Sequence, residues 1–131
     1  MKTHTSLRLR FENLEIPAPD FHHEDHVKVA FEMLEAYDFL EASTRYAKTI
    51  RTMACHVGVP EKFNVTITLA FMSLVAERKS LSPTADLDAF LAENSDLLDK
   101  HVLRRWYSDE RLTSAKARGL FLLPDTGNRA A

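Results

Sequence analysis

Glycine is scarce in this chain: Gly58, Gly119 and Gly127 are the only three among 131 residues. Tight β-hairpins need residues that accept positive φ, so a sequence this poor in turn glycines is hard to thread through many of them, and helices are favoured. Cysteine is nearly absent. The single Cys55 excludes an internal disulfide, and no signal-peptide apolar segment opens the chain, so a reducing cytoplasm is the expected compartment. Charge of one sign is lacking too. Seventeen Lys and Arg against nineteen Asp and Glu leave a net charge of −2, which gives no general attraction to nucleic acid or to anionic lipid. The longest apolar run, 65–76, is interrupted by Thr66, Thr68 and Ser73. It falls short of the ~20 residues that cross a bilayer, so no membrane association is expected. Gly-rich phosphate loops, nucleophile elbows, paired-cysteine motifs and dinucleotide fingerprints are all missing.

What is there points to one all-α domain. The hydrophobic content of 45% is ordinary for a chain that buries a continuous core without staples. The spacing predicts a single bundle of five to six helices around a central apolar helix at about 61–78, preceded by an extended N-terminal arm. The expected division is an arm at 1–19, a helical domain at 20–124 and a flexible tail at 125–131. In the arm, Leu7, Leu9 and Phe11 alternate with Arg8 and Arg10, a period of two that suits an extended segment laid over the domain or over a second subunit. Asp20 stands where an N-cap belongs for a first helix running to Tyr37. Asp38 caps a second helix, whose apolar stripe from Phe39 through Tyr46 and Ile50 to Val57 keeps a 3.6-residue period until Gly58 ends it. Pro60 opens the third, apolar nearly all the way round from Phe63 to Ala76, and a helix without a polar face is expected to be surrounded by others. Asp86, Asp96, Ser108 and Ser114 each head a shorter helix. Phe121, Leu122, Leu123 and Pro124 then form an apolar strap against the bundle.

Chemistry concentrates at the start of the first helix. His22, His23 and His26 fall within five residues, and residues three or four apart share a helix face, so His23 and His26 meet above the stripe of Val27, Ala30 and Leu34. Imidazoles so placed can reach one metal ion. The helix dipole at this end favours their neutral form, and a divalent transition metal such as zinc or iron is the expected cofactor. Two or three histidines fall short of a full ligand set; further ligands would come from His56, His101, Glu32 or Glu35. Asp25 points about 100° away from His26 and is expected to support the pair or to bond back to His22. Asn64 and Thr68, one turn apart on an apolar helix, would face His23 and His26 across a small polar pocket; the alternative is a Thr hydroxyl bonded to its own helix. The leading reading is therefore a pocket that binds a metal ion or a small-molecule ligand through His23 and His26, with Asp25, Asn64 and Thr68 around them. Three alternatives stand beside it: a structural cluster of half-buried histidines, proton chemistry by the same rings, and a non-catalytic interaction module that forms a homodimer through the arm and exposed apolar surface. Cys55 is expected to be a small core residue. Trp106 is expected to anchor its helix while Arg104 and Arg105 stay solvated.

The segment Phe21-His22-His23-Glu24-Asp25-His26-Val27, with Pro60-Glu61-Lys62-Phe63, Asn94-Ser95-Asp96-Leu97-Leu98 and Phe121-Leu122-Leu123-Pro124-Asp125, resembles a family of small bacterial all-helical proteins of unassigned function. That family carries an F-x-H-x-D-H-V motif and a C-terminal LLPD strap. The likeness spans about residues 20–125 and implies a single helical domain. It singles out His23, Asp25 and His26, and leaves His22 incidental. The family has His-Glu where this chain has Asn64 and Val65, so any site that used that second pair is incomplete here.

Overall fold

The structure, a computed structural model, describes residues 6–126. Seven α-helices and four 3₁₀ turns lie among the described residues, with no strand among them. The helices are α1 (Leu7–Glu12), α2 (His23–Ala36), α3 (Phe39–His56), α4 (Val65–Leu81), α5 (Leu87–Glu93), α6 (Asp109–Leu112) and α7 (Ala115–Gly119). Helix α4 packs against α2, α3 and α7, which makes it the central element. Its side chains Met72 and Val75 are fully buried, together with Val27, Val29 and Met33 of α2. Phe31 and Phe90 meet with ring centroids 4.9 Å apart and bring α5 onto α2. No described helix is long and apolar enough to cross a membrane.

The expected N-terminal arm is corrected by the structure: residues 7–12 are helical, not extended. Ser6 caps this helix, its hydroxyl accepting from the Leu9 amide at 3.1 Å. The physical reason lies in which leucines are buried. On a helix, Leu7 and Phe11 are one turn apart and face inward together, and both pack in the core. Leu9 is simply exposed. The period of two was thus half coincidence. Arg8 and Glu12 pair across the turn at 2.6 Å, and Tyr37 donates to Glu12, tying α1 to the end of α2. Leu14, in the left-handed region at φ 58°, turns the chain out of α1 at a cost of about 1 kcal/mol for a non-glycine residue.

Three other boundaries shift. Asp20 closes a 3₁₀ turn, Ala18–Asp20, and His22 stands at the N-cap of α2 instead, where Asp25 accepts from its backbone amide at 3.1 Å. Pro60 opens a second 3₁₀ turn, Pro60–Lys62, so α4 starts only at Val65 behind the Asn64 cap. The fifth helix expected from Asp96 is two 3₁₀ turns, Ser95–Leu98 and Val102–Arg105, broken at Asp99, whose backbone is extended and whose carboxylate accepts from the His101 amide. Its apolar residues Leu97, Val102 and Leu103 are buried all the same. Caps at Asp38, Asp86, Ser108 and Ser114 stand where the sequence placed them. Gly58 takes φ +78° just past α3, a conformation in which a Cβ is strained.

Arg78 of α4 holds the Ser95–Leu98 turn through a two-pronged pair with Asp96, at 2.8 and 2.7 Å. The C-terminal strap is held mainly by its backbone. Thr66 Oγ1, fully buried in α4, donates to the Leu120 carbonyl at 2.6 Å and accepts from the Leu122 amide at 3.0 Å. Tyr107 donates to the Leu122 carbonyl at 2.7 Å. The side chains of Leu120, Phe121 and Leu123 are exposed. The flexible tail expected at 125–131 is corrected at its first two residues, since Asp125 bonds Ser108 and both Asp125 and Thr126 donate from their amides to the Trp106 carbonyl. Positions 127–131 lie outside the described residues. Thr66→Val is expected to destabilise the protein by about 2 kcal/mol, because two strap groups lose their partner inside the fold. Urea denaturation measures this, and hydrogen exchange at the Leu122 amide should accelerate with it; unchanged exchange would show that the strap is held without Thr66.

Candidate functional site

The first turns of α2 place His23 and His26 against the middle of α3 and the start of α4. One cavity of about 230 Å³ opens there, lined by His23, His26, Tyr46, Asn64, Thr68 and Phe71, with Lys62 and Lys100 among its remaining walls. Four residues singled out from sequence, His23, His26, Asn64 and Thr68, therefore meet around one space. The rings of His23 and His26 lie 6.3 Å apart, centroid to centroid.

Each imidazole is held by one nitrogen. His23 Nε2 lies 2.8 Å from the Leu97 carbonyl; a carbonyl only accepts, so Nε2 carries the proton and Nδ1 is left as an acceptor. His26 Nδ1 lies 2.9 Å from the Tyr46 hydroxyl. That hydroxyl is deeply buried, and burial raises its pKa well above the ordinary tyrosine value, so it keeps its proton. The only partner for that proton among the described residues is His26 Nδ1, so Tyr46 donates, and His26 takes the tautomer with Nε2–H free to donate. Burial lowers the His26 pKa from 6.5 to about 4; the neighbouring His23 lowers it further and Asp25 opposes the shift. At neutral pH His26 thus presents an uncharged N–H donor, and the neutral tautomer of His23 offers Nδ1 as an acceptor. Phe21, 4.2 Å from the His26 ring, and Phe71, edge-on to His23 at 5.6 Å, fix the two planes.

Of the three histidines expected to share a metal ion, His22 stands apart from the other two. His22 is exposed, does not line the cavity, and lies 3.8 Å from the Asp25 carboxylate. Among the described residues no group of three or more His, Cys, Asp or Glu side chains is arranged to hold a metal ion. The further ligands named from sequence are elsewhere: His56 and His101 are exposed, Glu32 accepts from the Arg8 amide, and Glu35 pairs with Lys79. Asp25 is part of the α2 cap and does not line the cavity.

Asn64 and Thr68 line the cavity while spending most of their hydrogen bonds inside the protein. Asn64 Oδ1 accepts from the Ile67 amide at 2.8 Å and its Nδ2 donates to the Leu112 carbonyl at 2.7 Å. Thr68 donates back to the Asn64 carbonyl at 2.7 Å, which keeps the lone pairs of its oxygen for another donor. Residues that the sequence reading passed over complete the site. In the sequence Tyr46 is one member of an apolar stripe, and nothing local distinguishes it from a core tyrosine. Lys62 and Lys100 are surface lysines 38 positions apart, brought to one cavity by the fold alone. Cys55, expected in the core, is exposed. Trp106 is partly buried against the core with Arg105 stacked on its ring at 5.1 Å.

No family model, curated protein or solved structure matches this chain.

Proposed function

We propose that this protein binds a small organic anion in the cavity between α2, α3 and α4. The observation that carries the reading is the charge of the walls: two imidazoles, two lysines and no carboxylate line the space. Neither Lys62 nor Lys100 has an ion-pair partner among the described residues, so a negative charge entering here meets cations that nothing else neutralises. His26 Nε2–H donates to the anion's oxygen. His23 Nδ1 accepts from a hydroxyl or a protonated group on the same molecule, and Ile50, Ile67 and Phe71 cover its carbon skeleton. A cavity of about 230 Å³ is smaller than the roughly 300–1,000 Å³ of drug-sized sites, which keeps the ligand to a few carbon atoms. With one cysteine, and that one exposed, a reducing cytoplasm remains the compartment this reading assumes.

The test is nitrogen-15 NMR of the histidine rings during titration with malonate, inorganic phosphate and, for contrast, tetramethylammonium. Saturable shifts at His23 and His26 are expected with at least one anion and none with the cation. The double variant Lys62→Ala, Lys100→Ala should weaken anion binding at least tenfold, about 1.4 kcal/mol. A separate titration with zinc discriminates the metal reading: if His22, His23 and His26 shift together at stoichiometric zinc, the anion assignment is wrong.

A further inference from the structure

A second concavity runs along the other side of α3, where it packs on α4. It measures about 570 Å³ and its walls include Leu40 and Ala47 of α3, Val65 and Leu69 of α4, and Phe121 of the strap. Phe63 is the one residue that lines both this groove and the histidine cavity, so the two are neighbours but separate. The groove is the face of α4 that the bundle leaves uncovered. A helix apolar on every side is expected to be enclosed, yet Val65 and Leu69 are only partly buried and open onto the groove.

Two observations say what belongs in it. Ser43, at 6% exposure, lines the groove, and its hydroxyl has no hydrogen-bond partner among the described residues. Buried hydroxyls in native folds are almost always paired, so one that is not, on a groove wall, calls for an external partner. Lys48 and Arg51, on the same wall, are exposed and make no ion pair or side-chain hydrogen bond among the described residues. No carboxylate lines the groove. The walls therefore offer apolar surface, an idle hydroxyl and two idle cations. The apolar stripe of a docking helix would cover the groove but would leave the Ser43 hydroxyl without a partner. An amphiphile satisfies all three features at once.

We infer that the α3–α4 groove is a binding site for an amphiphilic anion, its oxygens held by Ser43, Lys48 and Arg51 and its aliphatic chain laid over Val65, Leu69 and Phe121. Between Phe39 and Arg51 the helix rises about 18 Å, long enough to run beside an extended dodecanoate. The inference is independent of the histidine cavity.

Calorimetric titration of the full chain with dodecanoate, below its micelle concentration, tests it. Saturable one-to-one binding is expected, with dodecyltrimethylammonium, the same tail on a cation, at least tenfold weaker. Lys48→Glu with Arg51→Glu should weaken dodecanoate at least tenfold, Ala47→Trp should block it by filling the groove, and His26→Gln should leave it unchanged. Both charge-reversed residues are exposed, so that variant remains informative should Ala47→Trp fail to fold. Equal affinity for the two amphiphiles, or no saturable binding, overturns the assignment. So does light scattering that shows a dimer dissociated by Leu69→Glu, since the groove would then be covered by a second copy.

Discussion

Phe11→Ala is expected to lower the unfolding free energy by about 3–5 kcal/mol, the range for removing a fully buried phenylalanine. Phe11 is fully buried, its ring stacked on Phe21 at 5.3 Å and tilted against Tyr46 at 5.5 Å. A residue on a loosely laid arm would cost well under 1 kcal/mol. Urea denaturation with and without the substitution separates the two cases; a change below about 1 kcal/mol would mean that α1 is not integral to the core. The same variant bears on the site. Phe21 and Tyr46, the two rings that Phe11 supports, also lie against the His26 ring. The N-terminal helix is thus the backing of the cavity, and Phe11→Ala should broaden or shift the His26 ring signals where an equally destabilising change in α5 would not.

Stability should fall as pH drops from about 6.5 to about 4, by up to about 3 kcal/mol from His26 alone. The folded-state value, about 4, lies below the ordinary 6.5 because burial penalises the imidazolium. Below pH 6.5 the unfolded chain takes up a proton that the folded chain refuses, so the native state loses ground until the folded value is reached. Above pH 6.5 both states hold a neutral ring and the contribution is complete. Asp96, held below the ordinary carboxylate range by Arg78, and Asp125, held there by Ser108, lose their contribution only at more acid pH. Their loss is centred below this window, at and under the ordinary carboxylate value. The double variant His26→Leu, Tyr46→Phe removes both members of one buried hydrogen bond, a change that costs little when no group is left unpaired. Its unfolding free energy should be nearly flat from pH 6.5 to 4.5 while the wild type declines. Parallel declines in the two proteins would mean that His26 charges freely in the native state.

Much of the fold was legible locally. Glycine scarcity and 3.6-residue stripes predicted the helices, and Asp38, Asp86, Ser108 and Ser114 cap them because a short acceptor at an N-terminus acts within its own turn. The α1 error has a definite source: over six residues, period two and period four both place Leu7 and Phe11 together, and only burial of one face decides between them. The break at Asp99 was hidden for a similar reason, since buried Leu97, Val102 and Leu103 satisfy a helical period and two 3₁₀ turns alike.

What the sequence by itself determined is an all-helical chain with an apolar central helix and a pair of histidines at a helix start, because each of these is written in spacings of three or four residues. Tertiary structure alone decided that Tyr46 is the partner of His26, that Lys62 and Lys100 share a cavity with both histidines, and that one face of α4 stays open beside Ser43. Such meetings depend on how helices far apart in the chain pack, and no local spacing encodes them.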